Sequence, residues 1–437
     1  MRSLPEQYEI PPANPTAVKV QGMSLEEVWP HVLGRDEITT DEIQKLSKWM
    51  LFEQQVTGHQ LIAGNEVHLL VDGPRTFDAM FEAMRNAVHH IHLETFIIAD
   101  DEVGQELARI LIDRRQAGVQ VRLIIDAVGA LDAKESYLDH LREAGIEIHK
   151  YHPINPFEDI RIWRINTRHH RKMTVVDGHI GFLGGINISG VYASSSFSEP
   201  HRKKGPDEGW RDTHLMVKGP VVGELQALFV TFWADLHSSP PLNGLEYFPD
   251  LKRMGSNLLR MGYNMALEEE YEVYLLYLSS IEFARQTIWI TQGYFSPDRK
   301  FLNALKEAAR RGVDVRLLLP GVTDSWITIS SSRHHYEELL REGIRIFERR
   351  DVLQHAKTAV IDGFWSIVGS TNLDHRGFMH SNEANLMIWG RDFGDEMQAL
   401  FLNDQSLNHE IFLSEWRHRP FHRRIMERFA SLFDYWL

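Results

Sequence analysis

Residues 169–189 read HHRKMTVVDGHIGFLGGINIS, setting His170, Lys172 and Asp177 at fixed offsets ahead of Gly185 and Asn187. Residues 355–374 read HAKTAVIDGFWSIVGSTNLD, with His355, Lys357, Asp362, Ser370 and Asn372 at the same offsets. One three-letter pattern with wildcards arises readily by chance. Two copies sharing a trailing asparagine do not.

The surrounding sequence repeats as well. AGVQVRLIID (117–126) is echoed by RGVDVRLLLP (311–320), HHIHLETFI (89–97) by QTIWITQGYF (286–295), and LREAGIEIHKY (141–151) by LREGIRIFER (340–349). Each half runs apolar strand, amphipathic helix, Gly-Val strand, helix, Gly-Ile strand, then the His-Lys-Asp segment. Strands alternating with helices predict α/β units with a largely parallel sheet. The period suits a domain duplication and is too long for a solenoid. The expected fold is α/β: two pseudo-symmetric domains, each a mixed, mostly parallel sheet flanked by helices, with one site at their interface. The expected boundaries are a helical extension at 1–60, a first domain at 61–240, a linker at 241–265 and a second domain at 266–437. In the extension, Thr39 and Glu42 form a capping-box pattern, and Ile43, Leu46, Trp49 and Met50 at helical spacing predict a helix packed on the first domain. The polar stretch 193–209 reads as a binding loop or a surface insertion.

Composition narrows the function. The 437 residues are 43% hydrophobic and 25% charged, enough for a full core. The net charge of −14 argues against a nucleic-acid binder. There is no cysteine, which excludes disulfide and thiol chemistry. No apolar run approaches the length of a membrane span, and the N-terminus lacks the apolar core of a signal peptide.

MTVVDGHIGFLGGI and TAVIDGFWSIVGST each read as two strands around an Asp-Gly turn. Residues two apart on a strand share a face, so His170 points with Lys172, and His355 with Lys357. An ammonium beside an imidazole repels a metal and attracts an anion. Glycine turns let backbone approach, and Asn187 and Asn372 add amide donors. Together the halves make a cradle for a tetrahedral anionic group. One histidine would attack phosphorus and the other would protonate the leaving alcohol. Asp212, in GWRDTHL, and Glu383, in HSNEANL, are candidates to hold the far ring nitrogens. Asp177 and Asp362 belong to the motif, yet their place beside a glycine also suits a purely structural turn. No metal or cofactor is expected.

The doubled H-x-K-x4-D pattern with trailing G-[GS]-x-N resembles the phospholipase D superfamily. The flanking HLETFII, AGVQVRLIIDAVGA, GWRDTHLMVKGP, TQGYFSPD, RGVDVRLLLPGVTD and HSNEANLMI make the chain similar to bacterial cardiolipin synthases of a peripheral type. The resemblance implies phosphatidyl transfer through a phosphohistidine, with phosphatidylglycerol as the expected donor and acceptor; a phospholipase D that releases phosphatidic acid, or a phosphodiesterase acting on nucleic acid, would use the same residues. It gives His170, Lys172, Asp177, His355, Lys357 and Asp362 as catalytic, and Asn187, Asn372, Gly185, Ser370, Asp212 and Glu383 as substrate-binding. By position His170 would be the nucleophile and His355 the acid, with the reverse assignment open. Expected partners are phospholipids and the anionic, cytoplasmic face of a membrane, with no nucleic acid. A terminal stripe of Phe421, Ile425, Phe429, Leu432, Phe433 and Trp436, beside Arg417, Arg419, Arg423, Arg424 and Arg428, would either reach that surface or pack on its own domain.

Overall fold

The computed structural model describes residues 9–152, 167–196, 209–266, 271–323 and 325–436. Most of the 193–209 stretch lies outside these residues, as does the side chain of Trp436.

The two halves build the same sheet. In the first, the strand order is Leu61–Val71, Thr213–Lys218, Ile180–Gly184, Met173–Val176, His90–Thr95, Gln120–Asp126, Glu147–Tyr151. In the second it is Asn257–Asn264, Ser381–Trp389, Trp365–Gly369, Lys357–Ile361, Thr287–Gln292, Asp314–Pro320, Arg345–Arg349. The duplicated α/β architecture matches the repeat. The expectation of mostly parallel sheets does not. Within each ordered set only the last two ladders are parallel. The reason lies in the motif itself: an Asp-Gly hairpin forces antiparallel pairing, and each hairpin is sandwiched between further antiparallel neighbours.

Helices start where side chains cap them. Asp101 accepts from the N–H groups of Val103 (3.0 Å) and Gly104 (3.1 Å) and opens Glu102–Gln116. Asp298 does the same for Arg299–Arg310 through Phe301 N–H at 3.0 Å. The apolar faces of these helices cover the outer sides of the two sheets. The inner sides meet. Val175, Leu183, Leu215 and Val217 of the first half share one core with Val360, Val368, Leu386 and Ile388 of the second. The halves also exchange backbone contacts, as Arg168–His169 pairs with Ser381–Asn382 and Arg211 with Gln354.

The helix Thr40–Thr57 begins at the expected capping box but packs on the second half, not the first. Trp49 lies against Phe283, Phe364, Trp365 and Trp389, at 4.8–5.9 Å between ring centres. Burying one such ring contributes about 1.5–3 kcal/mol. Buried Glu53, on the next turn, binds Arg260 at 3.0 Å and the Trp365 indole N–H at 2.7 Å. Nearness in sequence to the first half had suggested the wrong neighbour; the aromatic pocket that receives Trp49 is supplied by residues over 200 positions downstream.

Candidate active site

The hairpin turns come first, because they fix where the motif begins. Asp177 (φ 53°) and Gly178 (φ 67°) are both left-handed, as are Asp362 (φ 50°) and Gly363 (φ 68°). The carboxylate of Asp177 accepts the N–H groups of Val88, His89 and His90 at 2.8–2.9 Å. Asp362 accepts those of Arg285, Gln286 and Thr287 at 2.7–2.9 Å. Both aspartates thus brace the hairpin to the neighbouring strand, at the end of the sheet away from the histidines. Of the two readings the sequence allowed, these contacts fit the bracing one.

The histidines sit at the other end, and each is held by the opposite half. His170 Nδ1 lies 2.9 Å from Glu383 Oε1, and His355 Nδ1 lies 2.7 Å from Asp212 Oδ2. Each carboxylate therefore crosses the interface, and neither half could assemble a complete pair alone. With Nδ1 engaged, Nε2 of each ring is left for chemistry. Lys172 donates to the carbonyl of His170 at 2.6 Å, and Lys357 to that of His355. Phe96 stands edge-on to His170 at 5.1 Å, and Tyr294 edge-on to His355 at 5.9 Å. The lysines lie over the same two rings, at 5.2 and 5.9 Å. The arrangement is pseudo-symmetric down to its aromatic walls.

The electrostatics are less symmetric. Burial, then the Lys172, Lys357 and His355 charges, hold His170 well below the ordinary imidazole range. Burial and Lys357 lower His355 to about 4 against the pull of Asp212. Burial pushes the carboxyl of Asp212 up, but His355, Lys357 and the Thr213 N–H (2.7 Å) together hold it below the usual value. Burial wins at Glu383 and raises it to about 8, against Lys172 and the Ser370 hydroxyl. Burial also lowers Lys172 to about 7, with Glu383 opposing.

Gly185 and Ser370 occupy equivalent positions and do different work. A β-carbon at Gly185 would collide with the carboxylate of Asp212, so only glycine leaves room for it. Ser370 instead donates its hydroxyl to Glu383. Asn187 is buried: its Oδ1 accepts the Ile97 N–H at 3.0 Å, and its Nδ2 donates to Tyr192 Oη at 3.1 Å. Tyr192 Oη lies 3.3 Å from His355 Nδ1.

A cavity of about 240 Å³ opens beside His170, with Phe96, Arg168, Tyr294, Asn372, Asp374 and Arg376 in its wall. Of the six residues expected to bind substrate, only Asn372 faces this cavity. Asp212 and Glu383 contact the histidines, Gly185 and Ser370 lie against those two carboxylates, and Asn187 is held by Ile97 and Tyr192. Phe96, Tyr294, Arg168 and Arg376 were missed as site residues. Phe96 and Tyr294 follow the equivalent strands His90–Thr95 and Thr287–Gln292 but sit one position out of register, so the repeat did not single them out. Arg376 had no signal either, because its counterpart in the first half, Val191, is apolar.

A site of two imidazoles with opposed carboxylates and two ammonium groups suits transfer of a phosphoryl-type group through a covalent histidine. The family model described as "Cardiolipin synthase, PLD-like domain" matches residues 80–196 and 277–405. A cardiolipin synthase of Halalkalibacterium halodurans is 33% identical over 422 residues, 94% of this chain and 81% of that protein. Cardiolipin synthase A of Pseudomonas fluorescens (strain SBW25) is 36% identical over 359 residues, 82% of this chain and 72% of that protein. Among solved structures, a phosphatidylserine synthase of Haemophilus influenzae superposes with a TM-score of 0.66 at 14% identity, covering 89% of this chain and 100% of its own. At that identity the likeness speaks to the fold alone.

Proposed function

The chain belongs to the cardiolipin synthase family with PLD-like domains, and on that premise we propose phosphatidylglycerol as both donor and acceptor of the phosphatidyl group it transfers. The observation that carries the mechanism is the crossed pairing of His170 with Glu383 and His355 with Asp212. His170 Nε2 attacks phosphorus, the P–O bond to the glycerol headgroup breaks, and His355 Nε2 gives its proton to the departing oxygen. The primary hydroxyl of a second phosphatidylglycerol then attacks the phosphohistidine, His355 takes that hydroxyl proton, and the P–N bond breaks. Lys172 and Lys357 offset the charge gathering on the phosphoryl oxygens. The low position of His170 suits a neutral nucleophile; His355 is lowered to about 4 by burial and Lys357, and Asp212, held charged beside it, is the group that opposes this and supports the proton the acid must carry.

The membrane surface is proposed as the source of substrate. No helix among the described residues is long and apolar enough to cross a bilayer. The helix Phe421–Ala430 leaves Phe421 (75%), Ile425 (53%) and Phe429 (53%) exposed, with Leu432 (73%) just beyond. Arg417, Arg423, Arg424 and Arg428 are exposed beside them. Exposed Trp326 follows directly on Ser325, which lines the cavity. An apolar face rimmed by arginines suits an anionic bilayer.

The test supplies purified protein with phosphatidylglycerol vesicles and identifies products by mass spectrometry. Cardiolipin with glycerol supports the reading; phosphatidic acid alone would overturn it in favour of hydrolysis. His170→Ala and His355→Ala each remove nearly all activity, because the pair acts as a unit.

A further inference from the structure

Cardiolipin carries two phosphodiesters joined by a single glycerol. An enzyme that makes it from two phosphatidylglycerols must therefore hold a second phosphodiester within one glycerol's length of the reacting phosphorus. Hydrolysis has no such need. The twin histidines and lysines account for the first phosphate, and the cavity wall offers a further cation for the second.

Two guanidinium groups line the cavity with His170. Arg168 is engaged: it is buried and faces Asp126 at 3.5 Å. Arg376 is different. It is partly buried on the short helix His375–Met379, and its guanidinium makes no hydrogen bond or ion pair among the described residues. Burial draws it below the usual arginine range, with Asp374 opposing. A guanidinium withdrawn from water without a partner is unfavourable in the empty protein. Its planar fork matches the two free oxygens of a phosphodiester. Asp374 lies in the same wall and is raised to about 7 by burial, with its carboxylate turned to the Gly377 N–H at 2.7 Å. Burial thus weakens the one carboxylate in the wall that would repel an anion. Asn372 adds an amide whose Oδ1 is buried and makes no hydrogen bond, able to accept a headgroup hydroxyl.

We propose that Arg376 binds the phosphodiester of the acceptor phosphatidylglycerol, so that its primary hydroxyl lies against the phosphohistidine. This rests on the transferase reading above. It makes Arg376 a specificity residue for anionic acceptors rather than part of the bond-breaking apparatus, to which both halves contribute.

The test runs wild type, Arg376→Ala and Arg376→Lys on phosphatidylglycerol vesicles containing ethanol, a neutral acceptor with no phosphate. Donor and nucleophile are the same in both products, so the ratio of cardiolipin to phosphatidylethanol isolates acceptor recognition. A charged hydrogen-bond pair lost at the acceptor lowers the ratio about 10- to 100-fold in Arg376→Ala. Arg376→Lys, keeping the charge without the fork, gives an intermediate ratio. The melting temperature of Arg376→Ala stays at or above that of wild type, because no protein partner is lost. An unchanged ratio, with both products falling together, would overturn the inference and place Arg376 on the donor. A wild type that forms phosphatidylethanol but no cardiolipin would instead overturn the transferase reading, and this proposal with it.

Discussion

Replacing Asp212 by asparagine separates the roles of the two histidines. One carboxylate oxygen of Asp212 accepts the Thr213 N–H at 2.7 Å, and the other faces His355 Nδ1 at 2.7 Å. In Asp212→Asn the Thr213 N–H selects the amide oxygen for itself. The amide NH2 is then turned towards Nδ1. His355 can no longer carry a proton on Nδ1, so it cannot become the imidazolium that protonates the leaving alcohol. Loss of a charge-assisted hydrogen bond is worth about 1.5–3 kcal/mol, or about 10- to 150-fold in rate. That sets the minimum loss of cardiolipin formation. The burst of nitrophenolate from phosphatidyl-p-nitrophenol, followed in a single turnover, checks the cause. Nitrophenolate departs without a proton, so the burst in Asp212→Asn stays within about threefold of wild type. Glu383→Gln, which disturbs the attacking ring, slows the same burst. A burst in Asp212→Asn slowed as much as glycerol release would refute the assignment of His355 as the acid.

Four further outcomes follow from the structure. Glu383 must be ionised to accept a proton from His170 Nδ1 and leave Nε2 free to attack, so its rise to about 8 makes kcat/KM increase with pH up to about 8; a profile flat from pH 6 to 8 would count against the pairing. The same raised carboxyl binds more protons folded than unfolded between about pH 4.5 and 8, so stability falls as pH rises through that window and Glu383→Gln gains in melting temperature relative to wild type. Asp177→Ala strands three backbone N–H groups and costs about 1–3 kcal/mol of stability, while kcat of the folded fraction holds; denaturant titration alongside single-turnover rates distinguishes this from a catalytic role. Phe421→Asp with Ile425→Asp lowers sedimentation with anionic liposomes without lowering the melting temperature, since both side chains are exposed. Substitution tests this better than truncation, because Trp416 and Asp434 pack on Tyr336 and His335.

Both imidazole–lysine sets and the duplicated fold were legible from residue spacing, because a repeat exposes what one copy hides. The carboxylates were legible as residues but not as pairs. Glu383 follows the second motif and Asp212 the first, yet each serves the other's histidine. The backbone pairing of Arg168–His169 with Ser381–Asn382, and of Arg211 with Gln354, brings them across. Long-range pairing leaves no periodic mark in sequence. Asn187 differs for a related reason: it repeats Asn372, but it is bound to Tyr192 and Ile97 and does not line the cavity beside His170.

The broken symmetry at those pairs would allow two equivalent histidines to take the unequal parts proposed for them. Duplication alone would give two identical rings in identical settings, each as fit to attack as to donate a proton. The second half places a serine where the first has glycine, and a glutamate where the first has aspartate. Gly185 lets the shorter carboxylate of Asp212 lie directly against the backbone, where the Thr213 N–H helps keep it charged beside His355. Ser370 meets the longer side chain of Glu383 in a drier setting, where burial favours the neutral acid. A permanently charged carboxylate favours an imidazolium; one that ionises only as pH rises favours a neutral ring. Four residues that never touch the lipid would thus set which ring attacks, and exchanging them, Gly185 with Ser370 and Asp212 with Glu383, is the change that would reverse it.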